Sequence, residues 1–463
     1  MRERARNFAS KYSFWTAVAV VIANMVGTGV FTSLGFQLLE IQSGFVIMVL
    51  WLAGGLAALS GAMSYAELGA ALPRSGGEYN FLTRIYHPAA GFTSGWISAT
   101  IGFAAPVALA AITFSAYALS VFAHNPPDSW RKLLACVLVV TLALIHAGRR
   151  NASGAFQQWL TLAKVLIILS FSAAAVALIE PPQSASLAPA PGDTDVVFSG
   201  AFAVSLIYVS FAYTGWNAAA YLSGELKNAQ QALPKVLALA TATVILLYLL
   251  LNAVFLMAAP IEAMTGQVEI GLIAARFAFG DTVADFAGLI MASLLISTVS
   301  AMTIAGPRVL QVIGEDFSAF RRLSVTNSDN IPATAIYVQS GLAILFIVTS
   351  SFQSILIFAG FAVALNSFFT VLGVYVLRWR EPDLPRPYRL TGYPFTPLVY
   401  LGLTGWALIY VLIDRPVEGG FAMIVISLGV LFYYVSRLFG GERDPDQTNE
   451  SAELAGRAGG GRD

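Results

Sequence analysis

The stretch "VIANMVGTGVF", residues 21–31, places two glycines around a threonine in the middle of an apolar run that should form a helix. Glycine in a helix interior costs about 1 kcal/mol relative to alanine. Gly27 and Gly29 on either side of Thr28 therefore predict that this helix is interrupted. The competing interpretation is that small residues here allow two membrane helices to pack closely.

The composition is typical of an integral membrane protein. Of 463 residues, 57% are hydrophobic and 11% are charged, whereas soluble domains carry about 25% charged residues. Uncharged runs approach or exceed the roughly 20 residues that cross a bilayer as a helix. The sequence therefore predicts an all-α membrane protein with twelve transmembrane helices. The predicted spans are 14–38, 43–71, 91–122, 132–148, 156–180, 198–224, 233–258, 282–312, 333–350, 354–378, 395–413 and 418–438.

The basic residues predict the orientation of these spans, because Lys and Arg accumulate in cytoplasmic segments. If the N-terminus is inside, the external segments hold only Arg131, Lys132, Arg276 and Arg415 of the 26 basic residues. We therefore expect a multi-pass protein of the cell membrane, with a bacterial inner membrane favoured. Both termini would be cytoplasmic, as a short segment at 1–13 and a polar, disordered tail at 439–463.

A second interruption is predicted in the sixth span. The stretch "SFAYTGWNAAAYLSGEL", residues 210–226, again sets a threonine beside a glycine. Each interrupted helix begins a set of five, and corresponding interruptions in two halves indicate a transporter built on inverted repeats. The predicted repeats are residues 14–180 and 198–378, followed by two further helices within 395–438.

Interrupted helices of this kind predict the chemistry of a ligand. Unwound backbone survives at membrane depth only where it lines a cavity. The half-helix that begins near Thr28 presents free amides and a partial positive charge, which suit an anion. The half-helices that end near Val26 and Ala212 present carbonyls, which suit a cation. A ligand with both charges close together fits both ends, and an α-amino acid is such a ligand.

Five motifs carry a resemblance to a known family. They are "GTGVF" (27–31), "SYAELGAALPRSGGEYNFL" (64–82), "FAYTGWN" (211–217), "GELKNAQQALPKV" (224–236) and "RWREPDLPRPYRLTGYPFTPLVY" (378–400). Together they resemble the amino acid–polyamine–organocation transporter superfamily, and the third and fourth are similar to its L-type amino acid transporter branch.

The resemblance implies roles for the residues at the two interruptions. Amides around Thr28, Gly29 and Val30 would bind the substrate carboxylate. The carbonyls implied for the ammonium are those of Met25 or Val26, Phe211, Ala212 and Thr214. Phe211 resembles the aromatic side chain that closes over the substrate from outside. Gly27 and Tyr213 complete the ten residues predicted to bind substrate. Tyr213 and Trp216 occupy motif positions at which the role could equally be packing.

The resemblance implies transport of amino acids by alternating access, through sodium-independent exchange or proton-coupled uptake. Thr214 stands where the L-type motif often has glycine, which favours small to medium neutral amino acids. A polyamine or cationic amino acid antiporter, and a sensor that binds without transporting, are the alternatives. No disulfide-linked heavy subunit is expected, because the loop "AHNPPDSWRK" (123–132) has no cysteine and Cys136 lies in the fourth span.

Lys164 is the only basic residue placed deep in a predicted span. A charge at the bilayer centre costs about 2.5–3.5 kcal/mol on insertion scales, so this lysine needs partners. We predict the freed carbonyls of the first helix and the hydroxyls of Ser297 and Ser300. Lys164 could replace a coupling sodium ion permanently or, if burial disfavours its charged form, couple transport to protons.

Three acidic residues and Trp216 are candidates for an inner gate. Glu67, Glu78 and Glu225 lie near the cytoplasmic ends of predicted spans, within reach of basic side chains. The expected basic partners are Arg74, Arg84 and Lys227. The competing interpretation is that these carboxylates are simply solvated.

Other classes of function lack their motifs. The three histidines have no helical ligand spacing for a metal or haem, and no nucleotide-binding loop occurs. A net charge of zero gives no electrostatic reason to expect a nucleic-acid partner. We therefore predict neither an enzyme nor a cofactor, and we expect an amino acid and the lipid bilayer as partners.

Overall fold

A computed structural model describes residues 13–72, 77–122, 126–148, 154–178, 186–216, 229–329 and 331–440. Regular secondary structure in these residues is helical throughout, which confirms the all-α prediction. The α-helices up to the first half of the sixth predicted span are α1 (Phe14–Met25), α2 (Gly29–Gln37), α3 (Gly44–Ala71), α4 (Glu78–Ile85), α5 (Pro88–Ile97), α6 (Ala104–Phe122), α7 (Asp128–Gly148), α8 (Gly154–Leu178), α9 (Asp193–Val197) and α10 (Gly200–Ala212).

The remaining helices belong to the second half of the chain. They are α11 (Ala229–Ala258), α12 (Ile261–Met264), α13 (Ile270–Phe279), α14 (Asp281–Asp316), α15 (Ala333–Thr349), α16 (Phe352–Arg380), α17 (Phe395–Asp414) and α18 (Pro416–Gly440). A 3-10 helix, Ser318–Ser324, lies between α14 and α15.

Nine helical segments among the described residues are long and apolar enough to cross a membrane, when α1 with α2 and α5 with α6 are each counted as one segment. The protein is therefore a multi-pass membrane protein. Three of the predicted spans correspond to shorter apolar helices in the described residues, at Leu162–Leu178, Gly200–Ala212 and Ala333–Thr349. The count of twelve spans stays a prediction, since part of the sixth span lies outside the described residues.

The first predicted interruption is confirmed. Helix α1 ends at Met25, and α2 begins at Gly29. Between them Val26 leaves the helical region, with a ψ of 79°. In the sixth span α10 ends at Ala212, where the second interruption is predicted. Gly215 follows with a φ of 111°, which a residue with a Cβ rarely adopts.

The third predicted span is more irregular than expected. Pro88 occupies the first turn of α5, where its missing amide costs nothing, so the helix starts before residue 91. Ser98–Gly102 then form a π-helical turn between α5 and α6. Such turns are rare and frequently lie at functional sites. The short helices α4, α9, α12 and α13 lie outside the predicted spans.

An aromatic cluster joins three helices beside the interruptions. Trp51 on α3 contacts Tyr213, which follows α10, and Tyr248 on α11, with ring centroids 5.9 and 5.5 Å apart. All three side chains are fully buried. Helix α11 packs along both α1 and α3. This core therefore brings the two interruptions to the same place.

Candidate functional site

The two interruptions are in direct contact. A Cβ added to Gly29 would lie 2.6 Å from the Cα of Ala212, which is closer than real Cβ atoms approach. A Cβ on Gly215 would lie 2.5 Å from the carbonyl oxygen of Asn24. Each interruption thus supplies a glycine against the backbone of the other. The close-packing interpretation therefore holds for Gly29, whereas Gly27 has only the Met25 carbonyl within 4 Å of such a Cβ, at 3.9 Å.

Tyr248 bridges the C-terminal ends of the two half-helices. Its hydroxyl lies 2.7 Å from the carbonyl oxygen of Met25 and 3.1 Å from that of Ala212, with donor geometry to both. The single hydroxyl proton can serve only one of these at a time or be shared between them. Sequence reasoning missed this residue, because a tyrosine in an apolar run carries no local signal.

The carbonyls implied for a substrate ammonium are not equally available. The Met25 carbonyl accepts from Tyr248 and from the Gly27 amide. The Phe211 carbonyl accepts from both the amide and the hydroxyl of Thr214, at 3.1 and 2.6 Å. The Val26 carbonyl accepts no hydrogen bond from any described residue. A cation that binds the Met25 or Phe211 carbonyl would therefore compete with the protein donors already there, whereas no described donor occupies the Val26 carbonyl.

The amide end of α2 has the polarity that an anion needs. Thr28 is the N-cap residue, and its side chain makes no capping bond within the described structure. The hydroxyls of Thr32 and Ser33 instead bond back to the carbonyls of Thr28 and Gly29, at 3.0 and 2.7 Å. The first turn of α2 thus lacks a side-chain acceptor, as expected for a helix terminus that receives an anionic group.

A cavity of about 180 Å³ lies against both interruptions. Of the ten residues predicted to bind substrate, seven line it: Met25, Gly27, Thr28, Gly29, Phe211, Ala212 and Thr214. Val26, Val30 and Tyr213 do not line it. Tyr213 lies in the core, where its hydroxyl donates to the Trp51 carbonyl at 3.2 Å. Its side chain therefore packs in the core, and a binding role for it stays a prediction.

Polar groups that sequence reasoning missed complete the cavity wall. Asn24 and Asn366 contribute amides, and Ser98 with Gly102 contributes the π-helical turn. The apolar side chains of Ile97, Phe103, Pro106, Met302 and Val363 line the rest. No local sequence signal marks the asparagines, since their position depends on how distant helices pack.

Phe211 separates this cavity from a smaller one. Its side chain lines both, as do Thr214 and Gly215. The smaller cavity has room for about one water molecule and includes Trp216 and Tyr400. Trp216 is buried and packs edge-on against Tyr65, with ring centroids 4.6 Å apart.

Lys164 is buried, as predicted, but its hydroxyl partner differs. Its ammonium nitrogen lies 2.7 Å from the Thr298 hydroxyl, and the lysine is 8% exposed. Ser300 instead bonds to His146, at 2.8 Å. The Ser297 hydroxyl is buried with no hydrogen-bond partner among the described residues. The predicted pair was wrong because adjacent helical positions differ by about 100° around the axis.

Glu67 is also buried, and its described partners do not include the predicted Arg84. Arg378 on α16 binds it through two nitrogens, at 2.8 and 2.7 Å, and the Leu390 amide donates to it at 2.6 Å. Arg386 lies 3.6 Å from the same carboxylate. Arg84, a predicted partner, pairs with Glu381 instead. Local spacing did not predict these contacts, because more than 300 residues separate Glu67 from Arg378.

Glu78 lies at the start of α4 and is buried. Tyr65 donates to its carboxylate at 2.9 Å, and Glu78 also lines the 180 Å³ cavity. Glu225 and the predicted partners Arg74 and Lys227 lie outside the described residues. The described residues contain no group of three or more potential metal ligands among His, Cys, Asp and Glu.

Membrane-spanning helices interrupted around a polar cavity are the architecture of a membrane transporter. The comparison with known families agrees. Residues 12–436 match the family described as amino acid permease, and the chain belongs to that family.

Curated relatives extend over most of the chain. The rabbit (Oryctolagus cuniculus) "Large neutral amino acids transporter small subunit 2" is 29% identical over 95% of this chain and 82% of its own length. The mouse (Mus musculus) "b(0,+)-type amino acid transporter 1" is 25% identical over 91% and 86%. The human (Homo sapiens) "Asc-type amino acid transporter 1" is 25% identical over 91% and 81%.

These relatives are transporters and not enzymes, as predicted for this chain. The resemblance to the L-type branch is likewise confirmed. The rabbit protein is named as a small subunit. The expectation that no disulfide-linked heavy subunit accompanies the chain finds no support in that name.

Proposed function

We propose that the protein is a secondary transporter that moves an amino acid across the membrane by alternating access. The observation that carries this proposal is the contact between the two interruptions beside the 180 Å³ cavity. The α2 amides would bind the carboxylate. The ammonium would bind carbonyls of the cavity-lining residues Met25, Phe211 and Ala212, in place of their present hydrogen-bond donors. The proposed fold has twelve spans, with inverted repeats at 14–180 and 198–378.

The cavity reaches from the interruptions to the start of α4. Its lining includes Glu78 at the start of α4, the α5 residue Ile97 and the α14 residue Met302. If both termini are cytoplasmic, these positions lie on the cytoplasmic side of the interruptions. We therefore propose an inward-facing arrangement, in which Phe211 closes the outer side, and a location in a bacterial inner membrane.

Lys164 supports a cycle without sodium. The lysine lies in α8 and contacts Thr298 on α14, while Thr298 also lines the cavity. An ammonium fixed here supplies positive charge beside the substrate region without a bound metal ion. We therefore propose that transport is coupled to exchange of another amino acid or to protons through this lysine, and not to sodium.

Glu78 favours a second candidate substrate class. It is the one acidic side chain among the described residues that line the cavity. An acidic group could bind the side-chain cation of a basic amino acid or a polyamine, although Tyr65 already donates to it. Thr214 in the wall favours small to medium neutral amino acids instead. The name of the rabbit relative also refers to neutral amino acids, but to large ones.

The covalent link to a second subunit is proposed to be absent. Cys136 is the only cysteine in the sequence and lies within α7, and the segment 123–132 has none. A non-covalent partner is a separate possibility, and the mass of the purified complex would show it.

Uptake into proteoliposomes tests the proposed function. Radiolabelled amino acids and putrescine would be offered with and without sodium, a pH gradient and internal unlabelled amino acid. Accumulation of a neutral amino acid that does not depend on sodium supports the proposal. Saturable binding without any uptake would instead identify a sensor, and preferential uptake of lysine or putrescine would favour the cationic class.

A further inference from the structure

A second large cavity lies away from the interruptions, between α15 and α18. Its volume is about 670 Å³, and its walls are almost entirely apolar. Leu342, Leu345 and Phe346 line it from α15, while Phe421, Val425 and Leu428 line it from α18. Leu345 and Phe421 are each about half exposed. We call this cavity the α15–α18 crevice.

Residues spread along both α15 and α18 line the crevice. The lining residues of α15 run from Val338 to Phe346, which is about 12 Å along a helix axis. Those of α18 run from Phe421 to Leu428, or about 10 Å. Helix α18 is long and apolar enough to cross a membrane, and α15 is a shorter apolar helix. If both cross the membrane, as the proposed fold has it, the open side of this slot faces hydrocarbon. A linear apolar chain fits its shape and its chemistry.

One end of the crevice is charged. Arg321 and Arg322 line it from the 3-10 helix that follows α14. Both side chains are exposed, and neither makes an ion pair with any described residue. The two arginines thus stand where the apolar slot meets the membrane surface. Basic pockets between transmembrane helices bind the headgroups of anionic lipids.

We propose that the α15–α18 crevice binds an anionic phospholipid, with an acyl chain in the slot and the phosphate at Arg321 and Arg322. A phospholipid places its phosphate immediately beyond its acyl chains, which matches this order of surfaces. Two guanidinium groups that make no ion pair with any described residue favour a net anionic headgroup over a zwitterionic one, whose ammonium they repel. The alternative occupant is a helix from a second copy of the chain. Such a helix would need an acidic residue beside Arg321 and Arg322 to balance their charge.

Native mass spectrometry of the full-length protein tests this directly. The protein is released from detergent with equal amounts of palmitoyl-oleoyl phosphatidylglycerol and palmitoyl-oleoyl phosphatidylcholine. The wild type should retain phosphatidylglycerol over phosphatidylcholine by a ratio on the order of tenfold. The double variant Arg321→Gln/Arg322→Gln should lose that preference. Leu342→Trp, which fills the slot, should reduce retention of both lipids.

A matched control removes two other exposed arginines that lie outside the crevice. Arg308→Gln/Arg389→Gln should keep the wild-type preference, because neither residue lines the crevice. Equal retention of the two lipids by the wild type would overturn the proposal. So would an unchanged preference in Arg321→Gln/Arg322→Gln, or a dimer that excludes lipid. The assay measures no transport, so its outcome is independent of the proposed function.

Discussion

Tyr248 is the residue on which the geometry of the site depends most. Its hydroxyl contacts carbonyls at the ends of both α1 and α10, which lie far apart in the sequence. A substrate ammonium would compete for the same oxygens. The tyrosine therefore holds the two interruptions together, and a substrate cation would have to displace or share its contacts.

Replacing Tyr248 with phenylalanine removes this bridge and keeps the ring. We expect the free energy of unfolding to fall by about 1–3 kcal/mol, because buried carbonyls lose their donor, and transport to fall as well. Thermal unfolding in detergent and uptake would measure both. Tyr208→Phe is the matched control, since its hydroxyl pairs with Gln353 instead. Equal transport by Tyr248→Phe and wild type would contradict this role.

Gly29 tests the contact between the interruptions. In Gly29→Ala the new methyl group would overlap the Ala212 backbone, and overpacking of this kind costs about 1–3 kcal/mol or more. We expect strongly reduced transport and a lower melting temperature. Gly341→Ala is the control, because a Cβ there meets nothing within 4 Å among the described residues. Normal uptake by Gly29→Ala would show that the interruptions do not need this contact.

Lys164 contacts Thr298 in the structure, whereas the sequence predicted Ser297 and Ser300, and substitutions can distinguish these partners. Lys164→Ala should greatly reduce uptake while folded protein persists in detergent. Thr298→Val removes the hydroxyl that the lysine contacts, so it should reduce uptake too. Ser297→Ala should have little effect, since that hydroxyl has no partner among the described residues. The reverse ranking of Thr298→Val and Ser297→Ala would show that the assigned contact is wrong.

At the scale of elements, Glu67 joins the end of α3 to α16 and to the connector at 381–394. It accepts from Arg378 and from the Leu390 amide. Arg386 also stabilises that connector, because its guanidinium donates hydrogen bonds to the carbonyls of Leu377 and Glu381. The "RPYR" motif at 386–389 thus has a structural reason, because its first arginine shapes the connector around a buried carboxylate.

Glu67→Gln should destabilise the protein by about 3–5 kcal/mol, the usual cost of breaking a buried ion pair. Glu67 is only 2% exposed. The control is Glu381→Gln, whose partner Arg84 has a side chain that is 54% exposed, so that about 0–1 kcal/mol is expected. Chemical denaturation in detergent would measure the two. Similar losses of stability in Glu67→Gln and Glu381→Gln would contradict the idea that burial makes the Glu67 ion pair the stronger one.

The elements differ in how well local sequence predicts them. The interruptions at Thr28 and beyond Ala212 are predictable, because glycine beside threonine in an apolar run is a local signal. The π-helical turn at Ser98–Gly102 and the role of Tyr248 have no such signal. The partners of Glu67 and Lys164 depend on contacts between distant helices, which spacing along the chain does not encode.

At the scale of the whole molecule, the side of the interruptions that lies opposite Glu78 is covered by the segment between α11 and α14. The segment between α11 and α14 lies over the end of α2, where the Gly266 amide donates to the Gly35 carbonyl at 2.7 Å. Tyr117 on α6 accepts from the Gly271 amide at 3.0 Å and donates to the Phe31 carbonyl at 3.4 Å. These contacts cover the end of α2, while the cavity reaches Glu78 on the opposite side, which agrees with the inward-facing arrangement that we propose.

The most direct test of the account is competition for uptake by chemically blocked forms of the transported amino acid. The claim is that two interrupted helices bind a zwitterion by its two opposite charges. The methyl ester lacks the carboxylate, and the N-acetyl derivative lacks the ammonium. We expect each to compete at least about tenfold more weakly than the parent amino acid, since a charged hydrogen bond contributes about 1.5–3 kcal/mol. Equal competition by either derivative would contradict the account.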